Sequence, residues 1–302
     1  MKRRNFIGLS AVAATLSSAR GAAGDKPLLS FGLITDAQYA DAEPAGERHY
    51  RASLGKLKVA VDWLAGKGLP FTLHLGDLID RDFKSFDAVL PLLVPLGHPV
   101  RHLAGNHDYD VAEGEKSQVA AKMGMPADYY SFRSGGVRFV MLDTNDVSVY
   151  KHPEGSPEDK AAEAVLAKLE AGQSPAGKKW NGGLSAGQLA WLDAELTAAD
   201  AANEPVIVCG HHPLLPSEMH QAWNADDITS VIDRHPCVRA YFNGHNHAGG
   251  ELVRKGVPYI TFKSLLHEPD QNSYSAIRMF ADRLEIEGNG REKSRVVTLR
   301  PS

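Results

Sequence analysis

The chain has 302 residues, 43% of them hydrophobic and 23% charged, with a formal net charge of −4. That length and balance fit a globular chain with a sizeable core and exclude a low-complexity or fully disordered one. An acidic balance without a basic block excludes a general nucleic-acid surface.

The first residues differ in kind from the rest. Lys2, Arg3 and Arg4 precede a short, mildly apolar run, Phe6–Ala19, followed by small residues. The run is too short for a stable membrane span. It fits a cleaved signal peptide over residues 1–23, and the Arg3-Arg4 pair before Phe6-Ile7 resembles the twin-arginine export type. The expected partner is then the twin-arginine export machinery, and the expected location periplasmic or secreted. Removing Lys2, Arg3, Arg4 and Arg20 from the 33 basic residues leaves 29 against 37 acidic ones, a net charge near −8. Cys209 and Cys237, each at or near a predicted strand, are expected as two buried thiols, with one disulfide as the alternative.

The apolar run Leu28–Thr35 reads as a strand and stops at Asp36, with Gln38 two residues on. Leu54, Leu57, Val61 and Leu64 recur at helical spacing within Glu47–Gly66. A second strand, Phe71–Leu75, ends at GDLID. A helical segment around Phe83–Val94 follows, and a third strand, Val100–Leu103, ends at AGNHD. This strand–helix–strand rhythm predicts a parallel sheet with right-handed crossovers. Ala112–Met123 reads as a short helix, and Tyr129–Arg133 with Val137–Asp143 as a hairpin across Ser134-Gly135-Gly136. Asp146–Gly183 is irregular apart from a helical patch, Glu158–Glu170, and Ser185 caps a further helix.

Val206–Gly210 is a continuous buried-type strand that delivers HHP. Trp223–His235 returns as a helix, and Val238–Asn243 delivers GHNH. The tail holds short strand candidates at Glu251–Lys255, Tyr259–Lys263, Tyr274–Met279, Leu284–Glu287 and Val296–Leu299, which suggest an antiparallel second half. The architecture drawn from this pattern is two sheets face to face with helices outside, in a single domain over residues 24–302.

Five strand ends thus offer metal-competent groups: Asp36, Gln38, Asp77, Asn106, His107, His211, His245 and His247. Singly each is a weak signal, since an Asp after a strand is often a turn former. Jointly, with glycines that let the backbone turn sharply, they point to one metal centre. His74 and His102 lie inside strands, where alternation directs them elsewhere, and are expected to pack or hydrogen-bond.

In order, D-x-Q, G-D-x-x-D, G-N-H-D, H-P after a strand and G-H-x-H resemble the calcineurin-like metallophosphoesterases over Ser30 to Phe262. The resemblance implies a four-layer α/β/β/α sandwich with a dinuclear site. Carried over residue by residue, it implies one ion on Asp36, Gln38 and His247, another on Asn106, His211 and His245, and Asp77 between them. His212 is the spare member of HHP. His107 would stay off the metals and face the substrate phosphate as a catalytic residue, stabilising its equatorial charge or donating to the leaving oxygen, with Asp108 orienting it or capping the next turn. The nucleophile implied is a hydroxide held between the ions.

Most of that family has His where this chain has Gln38. An amide oxygen is a harder donor and tilts the site towards Mn²⁺, with Mg²⁺ or iron as alternatives. D-x-Q, together with R-H-Y-R-x-S-L (Arg48–Leu54), the stretch Trp180–Leu192 and G-H-N-H-x-G-G (Gly244–Gly250), resembles the manganese-dependent ADP-ribose/CDP-alcohol diphosphatases. The implied substrate is a small phosphorylated molecule, a nucleoside diphosphate-linked alcohol or sugar. An exported phosphomonoesterase or phosphodiesterase of broad specificity is the alternative, and a metal-bound scaffold without turnover a third reading. Arg48 and Arg51 are candidates for a second phosphate, and Tyr39, Tyr109 and Trp223 for flanking a base.

Overall fold

The computed structural model describes residues 26–300. The segment read as an export signal, residues 1–23, lies outside the described residues. Among the described residues no helix is long and apolar enough to cross a membrane.

The chain runs β1 (Leu29–Ile34), α1 (Ala52–Ala65), β2 (Thr72–Leu75), α2 (Ser85–Leu93), β3 (Val100–Leu103), α3 (Val119–Lys122), β4 (Tyr130–Ser134), β5 (Val137–Met141) and α4 (Pro157–Ala171). It continues through α5 (Ala186–Ala201), β6 (Val206–Cys209), α6 (Ala225–Arg234), β7 (Val238–Asn243), β8 (Gly250–Arg254), β9 (Val257–Thr261), β10 (Ser273–Met279), β11 (Arg283–Gly290) and β12 (Arg295–Thr298). Two six-stranded sheets result, ordered β12-β11-β10-β1-β2-β3 and β4-β5-β6-β7-β9-β8. The neighbours β1-β2-β3 are parallel, as the strand–helix rhythm predicted, and so are β5-β6-β7.

Phenylalanines join the sheets. Phe31 of β1 lies edge-on to Phe139 of β5, with ring centroids 5.4 Å apart, and stacks on Phe71 at 5.3 Å. Each such buried ring contributes about 2–3 kcal/mol. On the other face of β1, a Cβ on Gly32 would stand 2.5 Å from the Thr72 hydroxyl and 3.0 Å from Leu64, so only glycine lets α1 press this close. Leu192 and Leu196 of α5 and Ile228 and Ile232 of α6 pack in the same way against Val206 and Val208. Gly135 and Gly136, both at positive φ, make the two-residue turn of the β4–β5 hairpin.

The second half is antiparallel, as expected, at β8–β9, β1–β10, β10–β11 and β11–β12, and departs from that pattern where β9 meets β7. The tail divides: β9 runs parallel to β7 with β8 as its edge partner, while β10, β11 and β12 join the first sheet beside β1. Alternation within short strands carries no information about which distant strand completes the hydrogen-bond ladder. Two helix boundaries also move. Residues 47–51 are not in α1, because Arg48 forms isolated bridges with Ala45 and His267. Of Ala112–Met123 only Val119–Lys122 is α-helical, after a tight turn at Lys116–Gln118.

Candidate metal centre

The parallel strands of both sheets end at one edge, and their following residues converge there. Beyond β1 come Asp36 and Gln38, beyond β2 Asp77, beyond β3 Asn106, beyond β6 His211, and beyond β7 His245 and His247. Asp36, Gln38, Asp77 and His245 sit in the left-handed region, at φ of +52°, +43°, +57° and +64°. For non-glycine residues that costs about 1–2 kcal/mol each, so the four together offset the burial of roughly two or three phenylalanines. Strain held at four convergent polar residues marks a site where side-chain direction outweighs backbone comfort. Gly76 and Gly105 leave the needed room, since a Cβ on either would run into the His211 ring, and one on Gly105 into Asp77 as well.

Two clusters form and share Asp77: Asp36, Asp77 and His247, and Asp77, His211 and His245. In the second, His211 Nε2 lies 3.3 Å from Asp77 Oδ2, 3.2 Å from Asn106 Oδ1 and 3.2 Å from His245 Nδ1. In the first, His247 Nε2 lies 3.5 Å from Asp36 Oδ1 and 2.9 Å from the Gln38 amide nitrogen, which is itself 2.8 Å from Asp77 Oδ2. Donor atoms about 2.1 Å from a common ion stand about 3 Å apart, so these spacings match a coordination sphere. Gln38 Oε1 is buried without a partner. A half-turn of the amide presents that oxygen to the same group of donors. A mixed set of carboxylate, amide and imidazole with one orphaned oxygen fits hard or borderline divalent ions.

The rings are aimed from behind. His211 Nδ1 meets the Leu75 carbonyl at 2.8 Å, and His245 Nε2 meets Asn181 Oδ1 at 2.9 Å, leaving His211 Nε2 and His245 Nδ1 inward. Asp36 is held by the Thr35 hydroxyl at 2.6 Å and the His245 N–H at 3.2 Å. Burial alone would raise the Asp77 carboxyl, but His211 and His107 beside it hold it far below the usual range. His212 points away, with Nδ1 2.7 Å from the Thr144 hydroxyl and Nε2 3.2 Å from the Trp180 carbonyl. Burial and His211 push its pKa down to about 3. Of the HHP pair, His211 is the one at the centre.

His107 faces the cleft. Its Nδ1 lies 3.1 Å from Asp80 Oδ1, and its Nε2 lies 3.4 Å from Arg48 Nη1. Burial lowers its pKa, but Asp77 and Asp80 more than compensate and raise it. The expectation that Asp108 orients His107 is corrected. Both Asp108 oxygens are committed to backbone N–H groups, those of Asp77, Leu78, Ile79 and Gly105, each at 2.9 to 3.1 Å. Asp80, the second Asp of GDLID, is the carboxylate on the His107 ring.

The cleft over the two clusters holds about 550 Å³ and is walled by Arg48, His107, Trp180, His220, Asn246 and His267. Of the substrate-side candidates only Arg48 lies in it. Arg51 forms exposed ion pairs with Asp41 at 2.5 Å and Glu43 at 2.6 Å. Tyr39 packs against the core, Tyr109 is buried in it, and Trp223 is buried with its indole N–H on the Lys178 carbonyl at 3.2 Å. Sequence reasoning missed Asp80, Asn181 and His267. The first two sit inside quoted motifs, whereas His267 carries no local signal. His74 and His102 pair within the first sheet, Nδ1 to Nδ1 at 3.2 Å, as expected of strand-interior residues. Cys209 is a buried free thiol and Cys237 a half-buried one.

Comparison with known proteins agrees with this geometry. The family model of the calcineurin-like phosphoesterases matches residues 29–249. A manganese-dependent ADP-ribose/CDP-alcohol diphosphatase of Arabidopsis thaliana is 33% identical over 91% of this chain and 98% of its own. One of Homo sapiens is 31% identical over 89% and 92%. The crystal structure of a dimetal phosphatase from Danio rerio, 28% identical, superposes with a TM-score of 0.82 over 91% of this chain and all of that one. By its strand-end motifs, its paired sheets and these relatives, the chain belongs to the calcineurin-like phosphoesterase family.

Proposed function

We propose that this protein hydrolyses the pyrophosphate bond of nucleoside diphosphate-linked alcohols or sugars, the ADP-ribose and CDP-alcohol type of substrate, with two divalent ions and Mn²⁺ preferred. The observation that carries the reading is the pair of clusters meeting at Asp77, one of them built with the Gln38 amide. The relatives at 31–33% identity, named as manganese-dependent ADP-ribose/CDP-alcohol diphosphatases, support the substrate class.

Asp36, Gln38 and His247 would hold one ion and Asn106, His211 and His245 the other, with Asp77 serving both. When bound, the ions supply charge for the phosphate oxygens and acidify a water at neutral pH. The chain's own groups do the rest. Asp77 and Asp80 favour the protonated form of His107, whose Nε2 faces the cleft, where that form donates to a phosphate oxygen or the leaving oxygen. Arg48 Nη1 stands beside that nitrogen, so two donors converge on one point. An oxygen of the diphosphate satisfies both, and the Arg48 guanidinium takes the phosphate not under attack.

The N-terminal segment completes the proposal: residues 1–23 act as a twin-arginine signal, and residues 24–302 are the exported single-domain enzyme, periplasmic or secreted. Mature protein is to be assayed with ADP-ribose, CDP-choline, p-nitrophenyl phosphate and its bis ester, each with Mn²⁺ or Mg²⁺. Faster turnover of the two diphosphates under Mn²⁺ is expected. Preference for the nitrophenyl esters would replace the reading with a phosphomonoesterase or phosphodiesterase.

A further inference from the structure

Behind His247 the structure holds two further groups in line. His247 Nδ1 lies 2.7 Å from His267 Nε2, and His267 Nδ1 lies 3.0 Å from Glu47 Oε2. Each ring is edge-on to the other, with centroids 4.7 Å apart. We infer that His267, oriented by Glu47, is a positioning residue for the first metal position, keeping the His247 proton on Nδ1 and its Nε2 lone pair aimed between Asp36 and Gln38. The inference rests on the dimetal reading of the cleft and adds to it a device that no local motif announces.

The direction of the chain follows from donor and acceptor chemistry. An ionised carboxylate only accepts, so the His267 Nδ1 that meets Glu47 must carry a proton. In a neutral imidazole the other nitrogen is then an acceptor, so His267 Nε2 accepts from His247 Nδ1–H. His247 Nε2 is left with a free lone pair, the state a metal ligand needs. One carboxylate at the surface thus sets two rings in series.

The backbone around His267 is pinned, which keeps the relay in register. Arg48 and His267 form an isolated bridge, and the Glu268 N–H reaches the Glu47 carbonyl at 3.3 Å. Lys56 donates to the carbonyls of Leu266, His267 and Glu268 at 2.9, 3.1 and 2.8 Å. Arg291 donates to the Ser264 carbonyl at 3.1 Å. Although His267 borders the cleft, both its nitrogens are engaged, so it has no donor or acceptor left for a substrate.

The test is calorimetric titration of metal-stripped mature protein with Mn²⁺ alone, which separates ion binding from turnover. Wild-type protein is expected to bind two ions. His267→Leu, which removes the acceptor, should weaken one of the two events by roughly tenfold to a hundredfold and leave the other in place. His267→Gln, whose amide oxygen can accept from His247 Nδ1, should recover most of the loss. Equal weakening of both events, no weakening, or failure of His267→Gln to recover overturns the inference. Should His267→Leu not fold, Glu47→Ala decides, since that side chain is 73% exposed. A smaller loss confined to one event supports the relay, and an unchanged titration overturns it. Wild-type protein that takes up fewer than two ions overturns the dimetal reading itself, whatever the variants do.

Discussion

The Asp108 carboxylate accepts the backbone N–H of Asp77 at 2.9 Å, tying the residue shared by both clusters to the loop after β3. Its oxygens also take the N–H groups of Leu78, Ile79 and Gly105. Burial and the nearby Asp77 carboxylate raise the Asp108 pKa, to about 7, while the N–H groups of Gly105 and Ile79 pull it back. A left-handed Asp77 therefore keeps its direction through a neighbour whose carboxylate accepts four backbone N–H groups.

Asp108→Ala leaves four buried N–H groups without an acceptor. At about 1 kcal/mol or more for each, the loss of stability should reach roughly 4 kcal/mol. Thermal melts and metal analysis of the purified variant check this. A fall in Tm together with Mn²⁺ content is expected, and a stable variant with full metal but no activity would return Asp108 to a catalytic role.

His107→Ala should behave in the opposite way. Its ring lies in the cleft and is absent from both ligand clusters, so activity should fall about 10²- to 10⁴-fold with metal content retained. Asp80→Asn should lower activity less than His107→Ala and shift the basic limb of the pH–rate profile downward, because the carboxylate favours the protonated ring. Comparable losses of metal and turnover in His107→Ala would place that side chain among the ligands instead.

Gln38→His exchanges an amide for an imidazole in the cluster of Asp36, Asp77 and His247. A softer donor should reduce the advantage of Mn²⁺ over Zn²⁺ in competition titrations and alter the balance between diphosphate and diester substrates. An unchanged metal ranking and an unchanged substrate ranking together would make the glutamine incidental.

His102 supplies a pH dependence away from the centre. Burial lowers its pKa to about 4, against 6.5 for the unfolded chain. Between those values the unfolded state binds more protons, so stability is fully present above pH 6.5 and is lost as the pH falls towards 4. One such group accounts for at most about 3 kcal/mol over the window. Melts of His102→Gln from pH 7 to 4 should show a shallower decline than wild type, and an identical decline would mean that His102 protonates freely in the fold.

Much of the architecture was legible because it is local. The runs that became β2, β3, β6 and β7 each stop at a polar residue beside a glycine, and β1 stops abruptly at Asp36; that punctuation survives in a linear reading. Less legible were the elements whose role depends on a distant partner. The run 273–298 could be read as strands, but nothing in it says that β10 closes on β1 instead of on β9. Residues 47–51 carry a helical pattern, yet the bridge from Arg48 to His267 removes them from α1.

The same division runs through the site. The sequence by itself marked the five strand ends that converge, because each ligand type and its turn lie within a few residues of a strand end. Only the tertiary structure decided that His211 and not His212 enters the centre, that Asp80 and not Asp108 meets His107, and that Arg48 and not Arg51 faces the cleft. Those choices turn on which way a side chain leaves a strained or tightly turned backbone and on contacts between segments tens to hundreds of residues apart. His267, 220 residues from Glu47, belongs wholly to that second kind of information.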